Sequence, residues 1–221
     1  MKNTKCDYYL TEEIANAITH AIGGYLGAAA VALLVMFAVQ SGTQVPWKIV
    51  SGSIFGATII VLYSASTIYH AITNYRIKEI CRACDQMAIY VLIAGTYTPL
   101  CLVTLRQSHP VIAWSIWGSA WGLAIAGILF KLFTKRQFKY ITTITYLVMG
   151  WFCVLIIKPL YDFLEFGGIL WLVLGGLFYS LGVVFFLWRK LPFNHTIWHF
   201  FVLAGTICHF FCVLFYVIMA L

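Results

Sequence analysis

Apolar positions come in long unbroken runs along this chain, and the charged ones collect between them. Ile14 to Trp47 contains no Asp, Glu, Lys or Arg, and neither do Ile49 to Tyr75, Gln86 to Leu105 and Gln107 to Phe130. The same holds for Tyr140 to Ile157, Phe166 to Trp188 and Leu191 to Leu221. A helix needs about 20 apolar residues to cross a hydrocarbon core of ~30 Å. Each run is long enough, Tyr140 to Ile157 only just. None alternates polar and apolar residues, which excludes the strands of a membrane barrel. The pattern predicts an all-α integral membrane protein with seven transmembrane helices. Residues 1–13 make a short N-terminal segment, and residues 14–221 the membrane domain. The first run is too long for a signal-peptide core and lacks a small-x-small cleavage site, so the first helix is expected to stay.

Composition rules out the alternatives. Of 221 residues, 62% are hydrophobic and 10% charged, whereas a soluble domain averages about 45–50% apolar and about 25% charged. Seven cysteines are too sparse for a disulfide scaffold. Charge then orients the chain, because basic residues stay on the cytoplasmic side. With the N-terminus inside, 11 of the 14 basic residues face the cytoplasm and only Lys48, Arg106 and Lys158 face outward. The N-terminus is therefore expected in the cytoplasm and the C-terminus outside. The net charge of +7 becomes a collar for anionic lipid headgroups, and no nucleic-acid partner is expected.

Titratable residues inside a membrane helix are costly, so each is a candidate for function. Their depths coincide. His70 falls near the cytoplasmic end of the second helix and Asp85 at the start of the third. His195 and His199 occupy the first turns of the seventh, and His20 lies near the start of the first. His195 and His199 are spaced i, i+4, on one helix face and about 6 Å apart along the axis. Two imidazoles so placed can grip one metal ion. His70 supplies a third ligand at the same depth, with Ser66 one turn before it. Asp85 is either a fourth ligand or the base that holds a metal-bound water. Asn16 and His20, again i, i+4, either orient ligands from outside the first coordination shell or cap and pack.

Other polar groups are read more plainly. His109 is placed in a solvated outer loop, and His209, too deep to share the ion, makes a packing hydrogen bond. Cys81-x-x-Cys84 could be a redox pair or half a metal site, but no second pair exists and it is taken as incidental. Cys6, Cys101, Cys153, Cys208 and Cys212 are small apolar fillers. Gly52-x-x-x-Gly56 and Gly118-x-x-x-Gly122 permit close helix contact, within the bundle rather than between copies. Pro99 predicts a kink, with Thr96 and Thr98 satisfying the freed carbonyls.

At these residues the chain resembles a known family. Glu13-Ile-Ala-Asn16-Ala-Ile-Thr19-His20, Ser66-Thr-Ile-Tyr-His70, Asp85 through Pro99, His195-Thr-Ile-Trp-His199 and His209 are similar to the bacterial hemolysin III type of the progestin and adipoQ receptor family. The resemblance runs from about Glu13 to Tyr216. It implies a seven-helix fold with a cytoplasmic N-terminus. It further implies a Zn2+ ion held by residues matching His70, His195 and His199, with Ser66 and Asp85 beside it. Gln86 departs from the pattern, since bacterial relatives often carry His after the Asp.

Three functions compete. The first is a zinc-dependent membrane hydrolase, ceramidase-like by analogy, acting on an amphiphilic amide or ester at the cytoplasmic headgroup boundary. Asp85 would be its general base, and Ser66 would donate to the oxyanion or orient the water. The second is a non-enzymatic regulator of membrane lipids with a structural zinc. The third, lysis of other cells, gains nothing from retained helices without a soluble state. The expected location is the bacterial inner membrane, crossed several times, with membrane lipids as partners. A reporter fused after Leu221 should read extracytoplasmic, and one inserted within 135–139 cytoplasmic. A cytoplasmic reading after Leu221 would overturn both the helix count and the shared depth of the histidines.

Overall fold

The computed structural model describes residues 4–134 and 139–220. Lys2, Lys135, Arg136 and Leu221 lie outside the described residues, as do the side chains of Lys5, Cys6 and Lys139. The described residues are helical almost throughout and contain no strand. In hydrocarbon nothing else pairs every backbone N–H and C=O within one segment. The helices are α1 (Thr4–Gln40), α2 (Val45–Ala71), α3 (Tyr75–Pro99) and α4 (Pro110–Phe133), followed by α5 (Lys139–Gly150), α6 (Ile157–Leu187) and α7 (Asn194–Val213). A π-wound stretch extends α3 to Leu105, a 3₁₀ stretch (Trp151–Ile156) joins α5 to α6, and a π-wound stretch carries α7 to Ile218.

Among the described residues, six helical stretches are long and apolar enough to cross a membrane. The seven windows fall into six because the fifth and sixth share one stretch, Tyr140–Leu187, of 48 residues. Straight, it would be about 72 Å long at 1.5 Å per residue. It is not straight. Glu165 leaves helical geometry at φ 49° and ψ 170°. Trp151 Nε1 donates to Ser180 Oγ at 2.9 Å, 29 residues on, a separation of roughly 43 Å along a straight helix. The chain therefore doubles back between them.

Several boundaries differ from the charge-free windows. The windows start the third helix at Gln86, but α3 starts at Tyr75, where Asn74 Oδ1 accepts from the backbone N–H of Arg76 and Ile77. Arg76, Lys78 and Arg82 are thus helical rather than loop residues, and Asp85 lies nearly three turns in. A cap fixes a helix start regardless of charge, and a charge-free window cannot register it. Lys48 likewise belongs to α2 and is buried. Its Nζ donates to the Ala220 carbonyl at 2.8 Å. α1 continues through residue 13 without a break.

α3 is the axis of the bundle, with 78% of its membrane window buried against 17% for α4. Two apolar clusters meet on it. Tyr90, Ala94 and Tyr97 pack with α4 and α6, and Ala88 and Leu92 pack with α1, α2 and α7. Pro99 changes the winding to π rather than leaving a simple kink. Thr96 and Thr98 donate to the carbonyls of Leu92 and Ala94, not to that of Gly95, which the proline frees.

α1 and α2 run antiparallel with almost no space between them. A Cβ at Gly56 would stand 3.1 Å from Val31 Cα, and one at Gly52 3.2 Å from Leu34 Cβ. That pair packs within the bundle, as the sequence suggested. Gly118 and Gly122 differ, because among the described residues no such atom comes within 4 Å of either position. Gly56→Ala should therefore cost roughly 1–3 kcal/mol by overpacking, read as a lower thermal midpoint in detergent. Gly118→Ala should leave the midpoint unchanged or raise it. Equal midpoints for the two variants would remove the α1–α2 contact as a determinant of stability.

Candidate metal centre

His70, His195 and His199 offer ring nitrogens that all lie within 4.8 Å of one another. α2 brings the first and α7 the other two. Ring centroids are 5.0 Å apart for His70 and His195, 5.1 Å for His70 and His199, and 4.7 Å for His195 and His199. His70 and His199 are buried, and His195 is half-buried. The Nε2 atoms of His70 and His199 are buried without a hydrogen-bond partner. A neutral imidazole carries one donor and one acceptor nitrogen, and the partner of one fixes the state of the other.

The partners are visible. Thr19 Oγ1 lies 3.2 Å from His199 Nδ1 and 2.9 Å from both the Ala15 and Asn16 carbonyls. A carbonyl only accepts, so the hydroxyl hydrogen of Thr19 goes to one of them. His199 Nδ1 must then carry a hydrogen and donate it to Thr19, which leaves a lone pair on Nε2. His70 is fixed in the same way. Its Nδ1 is 3.3 Å from Glu13 Oε2, a carboxylate oxygen that accepts, so the Nε2 of His70 also bears a lone pair. Two buried lone pairs converge with a third imidazole on one small volume. This donor set fits a metal ion of the kind that histidine binds.

Around the three rings, α1 supplies the supports. His20 stacks on His199 with centroids 3.4 Å apart and meets Tyr63 edge-on at 4.9 Å. Asn16 Oδ1 accepts from Thr196 Oγ1 at 2.6 Å, pinning the start of α7 to α1. Lys78 Nζ reaches the same Glu13 oxygen that holds His70, at 2.5 Å, and also donates to the Tyr69 and Ile72 carbonyls. Asp85 and Ser66 are buried.

Of the residues singled out in the sequence, His70, His195 and His199 come together, Asn16 and His20 contact α7 beside them, and Ser66 and Asp85 are buried on α2 and α3. The sequence pattern gave Glu13, Lys78 and Thr19 no role at the site. Glu13 ends the N-terminal segment that the charge-free windows define, although it sits one helical turn from Ala17, and Thr19 looks like any helix threonine. Elsewhere, His209 Nε2 meets the Leu172 carbonyl at 3.1 Å, a packing bond. His109 is half-buried at the start of α4 rather than solvated, with Phe163 6.1 Å from its ring. Cys101, Cys208 and Cys212 are buried, Cys153 and Cys81 half-buried and Cys84 exposed, all as free thiols.

A cavity of about 540 Å³ opens beside the cluster, between α3, α5, α6 and α7. His20, Asp85 and His195 line one end, and Leu100, Leu172 and His209 the other.

Comparison with known proteins shows the family. Residues 8–210 match the family described as Haemolysin-III related. Hemolysin-3 of Bacillus cereus is 45% identical over 217 residues, covering 98% of this chain and 97% of that protein. The hemolysin-3 homolog of Bacillus subtilis (strain 168) is 46% identical over 209 residues, 95% of this chain and 96% of its own. The monocyte to macrophage differentiation factor of Homo sapiens is 31% identical over 173 residues, 76% of this chain and 70% of its own.

Partners of the second nitrogen orient a ligating histidine, and losing one usually costs about 10–100-fold in metal affinity. Thr19→Val removes the acceptor for His199 while keeping the shape of the side chain. Competition with a chelator of known affinity should show zinc binding weakened by that order. Unchanged affinity would remove Thr19 from the metal site.

Proposed function

The chain belongs to the Haemolysin-III related family, and from that premise we propose that it is a zinc-dependent membrane hydrolase of lipid amides or esters. His70, His195 and His199 hold the ion. The observation that carries this reading is a largely apolar cavity whose wall holds a buried acid, Asp85, together with His195, one of the three clustered histidines. Structural zinc sites usually close with four protein ligands, whereas three leave a position open to substrate or water. When bound, the ion would act as a Lewis acid and activate water at neutral pH.

The chain's own groups do the rest. The apolar cavity wall takes the hydrocarbon of the substrate and brings its carbonyl to Asp85 and His195. Asp85 removes a proton from the attacking water as oxygen adds to the carbonyl carbon. Ser66 donates its hydroxyl hydrogen to the developing oxyanion, or turns the water toward the carbon. The C–N or C–O bond then breaks, and Asp85 returns its proton to the departing amine or alkoxide. Thr19 and Glu13 keep His199 and His70 in the ligating tautomer throughout.

The membrane arrangement belongs to the same proposal. We read Tyr140–Leu187 as two crossings that reverse at Glu165, which makes seven spans. The doubling back of Trp151 onto Ser180 supports this. The charge distribution favours a cytoplasmic N-terminus in the bacterial inner membrane, with the histidines at the cytoplasmic face. The lysis stated in the Bacillus relatives' names is not part of this reading, since a buried ligand cluster beside an apolar cavity suits a small amphiphile.

Asp85→Asn tests it. The substitution keeps size and hydrogen bonding and removes the group that accepts the proton. Turnover of a lipid amide or ester in nanodiscs should fall by roughly 10²–10⁴-fold. Zinc content, determined on the same samples, should stay near one per chain. Undiminished turnover would remove Asp85 as the base. Zinc-loaded wild type without turnover on any amphiphile would favour the alternative, a regulator whose zinc only ties α2 to α7.

A further inference from the structure

The cavity is not apolar at its histidine end. Arg82 from α3, Lys131 from the last turn of α4 and Arg189 from just beyond α6 all line it. Three separate segments thus deliver a cation to one opening. Retention of basic residues on one membrane face explains their depth but not their convergence on a cavity. Other basic residues at that depth go elsewhere: Lys78 is bound to Glu13 on the far side of His70.

Two further atoms point the same way. Arg82 pairs with Glu79 through its NH2 group, but its Nε is buried without a partner. Gln86, one turn on along α3, also lines the cavity, and its Oε1 is buried and unpartnered. Buried polar atoms left unbonded are rare, because each costs its desolvation. A ligand head that accepts from the Arg82 Nε–H, with a donor beside it for Gln86 Oε1, satisfies both.

We infer that the amphiphile taken by this site carries an anionic, phosphate-type head, held by Arg82, Lys131 and Arg189 while its chain fills the apolar stretch beyond. The order of groups along the cavity matches such a molecule. Cations come first, then Asp85, Gln86 and His195, then Leu92 and Leu172. From Asp85 to Leu100 is 15 positions of α3, roughly 22 Å at 1.5 Å each. That exceeds the ~15 Å half-thickness of a hydrocarbon core, so a full acyl chain fits. Gln86 Oε1 accepts from a hydroxyl or amide N–H next to the head. This deepens the hydrolase reading by naming its substrate class, and rests on that reading only for what happens after binding.

Equilibrium binding of radiolabelled hexadecyl phosphate and hexadecanol to the full chain in neutral-lipid nanodiscs tests it. Hexadecyl phosphate should bind at least about tenfold tighter, the order expected of one or two hydrogen bonds to charged groups. Arg189→Gln, an exposed position, should lose part of that preference without risk to folding. Arg82→Gln with Lys131→Gln should lose most of it and still bind hexadecanol as wild type does. Equal binding of the two probes would overturn the inference, as would a preference that survives all three substitutions. Inorganic phosphate that displaces hexadecyl phosphate at equal concentration would overturn the amphiphile in favour of a free-anion site. The two readings fail separately. A phosphate preference in a protein that hydrolyses nothing leaves this inference standing alone. Equal binding and equal hydrolysis of neutral and anionic amphiphiles by the wild type would sink this inference and leave the hydrolase standing alone.

Discussion

A neutral histidine in a low-dielectric interior has one hydrogen to give and one lone pair to fill, and leaving either unused is expensive. His199 gives its hydrogen to Thr19 and His70 gives its hydrogen to Glu13. Both lone pairs then point where no protein group answers them. Everything else in this end of the bundle serves that arrangement. If Thr19 donated instead of accepting, the proton of His199 would move to Nε2 and the cluster would lose one of its three ligand lone pairs. The threonine cannot do so, because its own hydrogen is claimed by a carbonyl one turn back in α1.

The constraint explains why α1 must lie so close. Thr19, Asn16 and His20 reach α7 and its histidines only if α1 fits tightly against α2, and the glycines permit that fit. Gly23 faces Tyr63 and Gly56 faces Val31 with no room for a Cβ. Tyr63 then stands edge-on to His20 and donates to Thr206 of α7 at 2.8 Å. Tyr179 reaches the same Thr206 oxygen, whose own hydrogen goes to the Val202 carbonyl. Both tyrosines therefore donate into one acceptor. Such a junction cannot pass a proton along, so it locks α2, α6 and α7 together below the cluster rather than wiring it to the far side.

How much of this could be read from the sequence follows from the kind of signal each feature leaves. Membrane crossings leave long charge-free runs, and the histidines leave spacing and depth, so the grouping of His70, His195 and His199 is legible in the chain itself. Their supports are not. Thr19 differs from other helix threonines only in what its hydrogen bond excludes. Glu13 was hidden by the rule that found the helices, since a charge-free window ends where a carboxylate begins. The same rule clipped the first turns of α3, and with them the helical placement of Arg82. Conversely, the reversal at Glu165 left a visible charge in the chain, yet the backbone winds almost continuously through it. Hydropathy separates two segments there that helical geometry alone would join.

The two flanks of His70 show why charge at this end cannot be treated as a uniform collar. On one side Glu13 and Lys78 form a compact pair, with Lys78 also tied to the carbonyls at the end of α2. That lysine's hydrogen bonds go to the acid that holds His70 and to the end of the helix that carries it. On the other side Arg82 has a carboxylate for one nitrogen and nothing for Nε. A cation with its bonds complete stabilises the protein, while one with a bond left over next to a cavity recruits a ligand. Burial and bonding, rather than the number of basic residues, separate the part of this surface that orients the chain in its membrane from the part that selects what enters it.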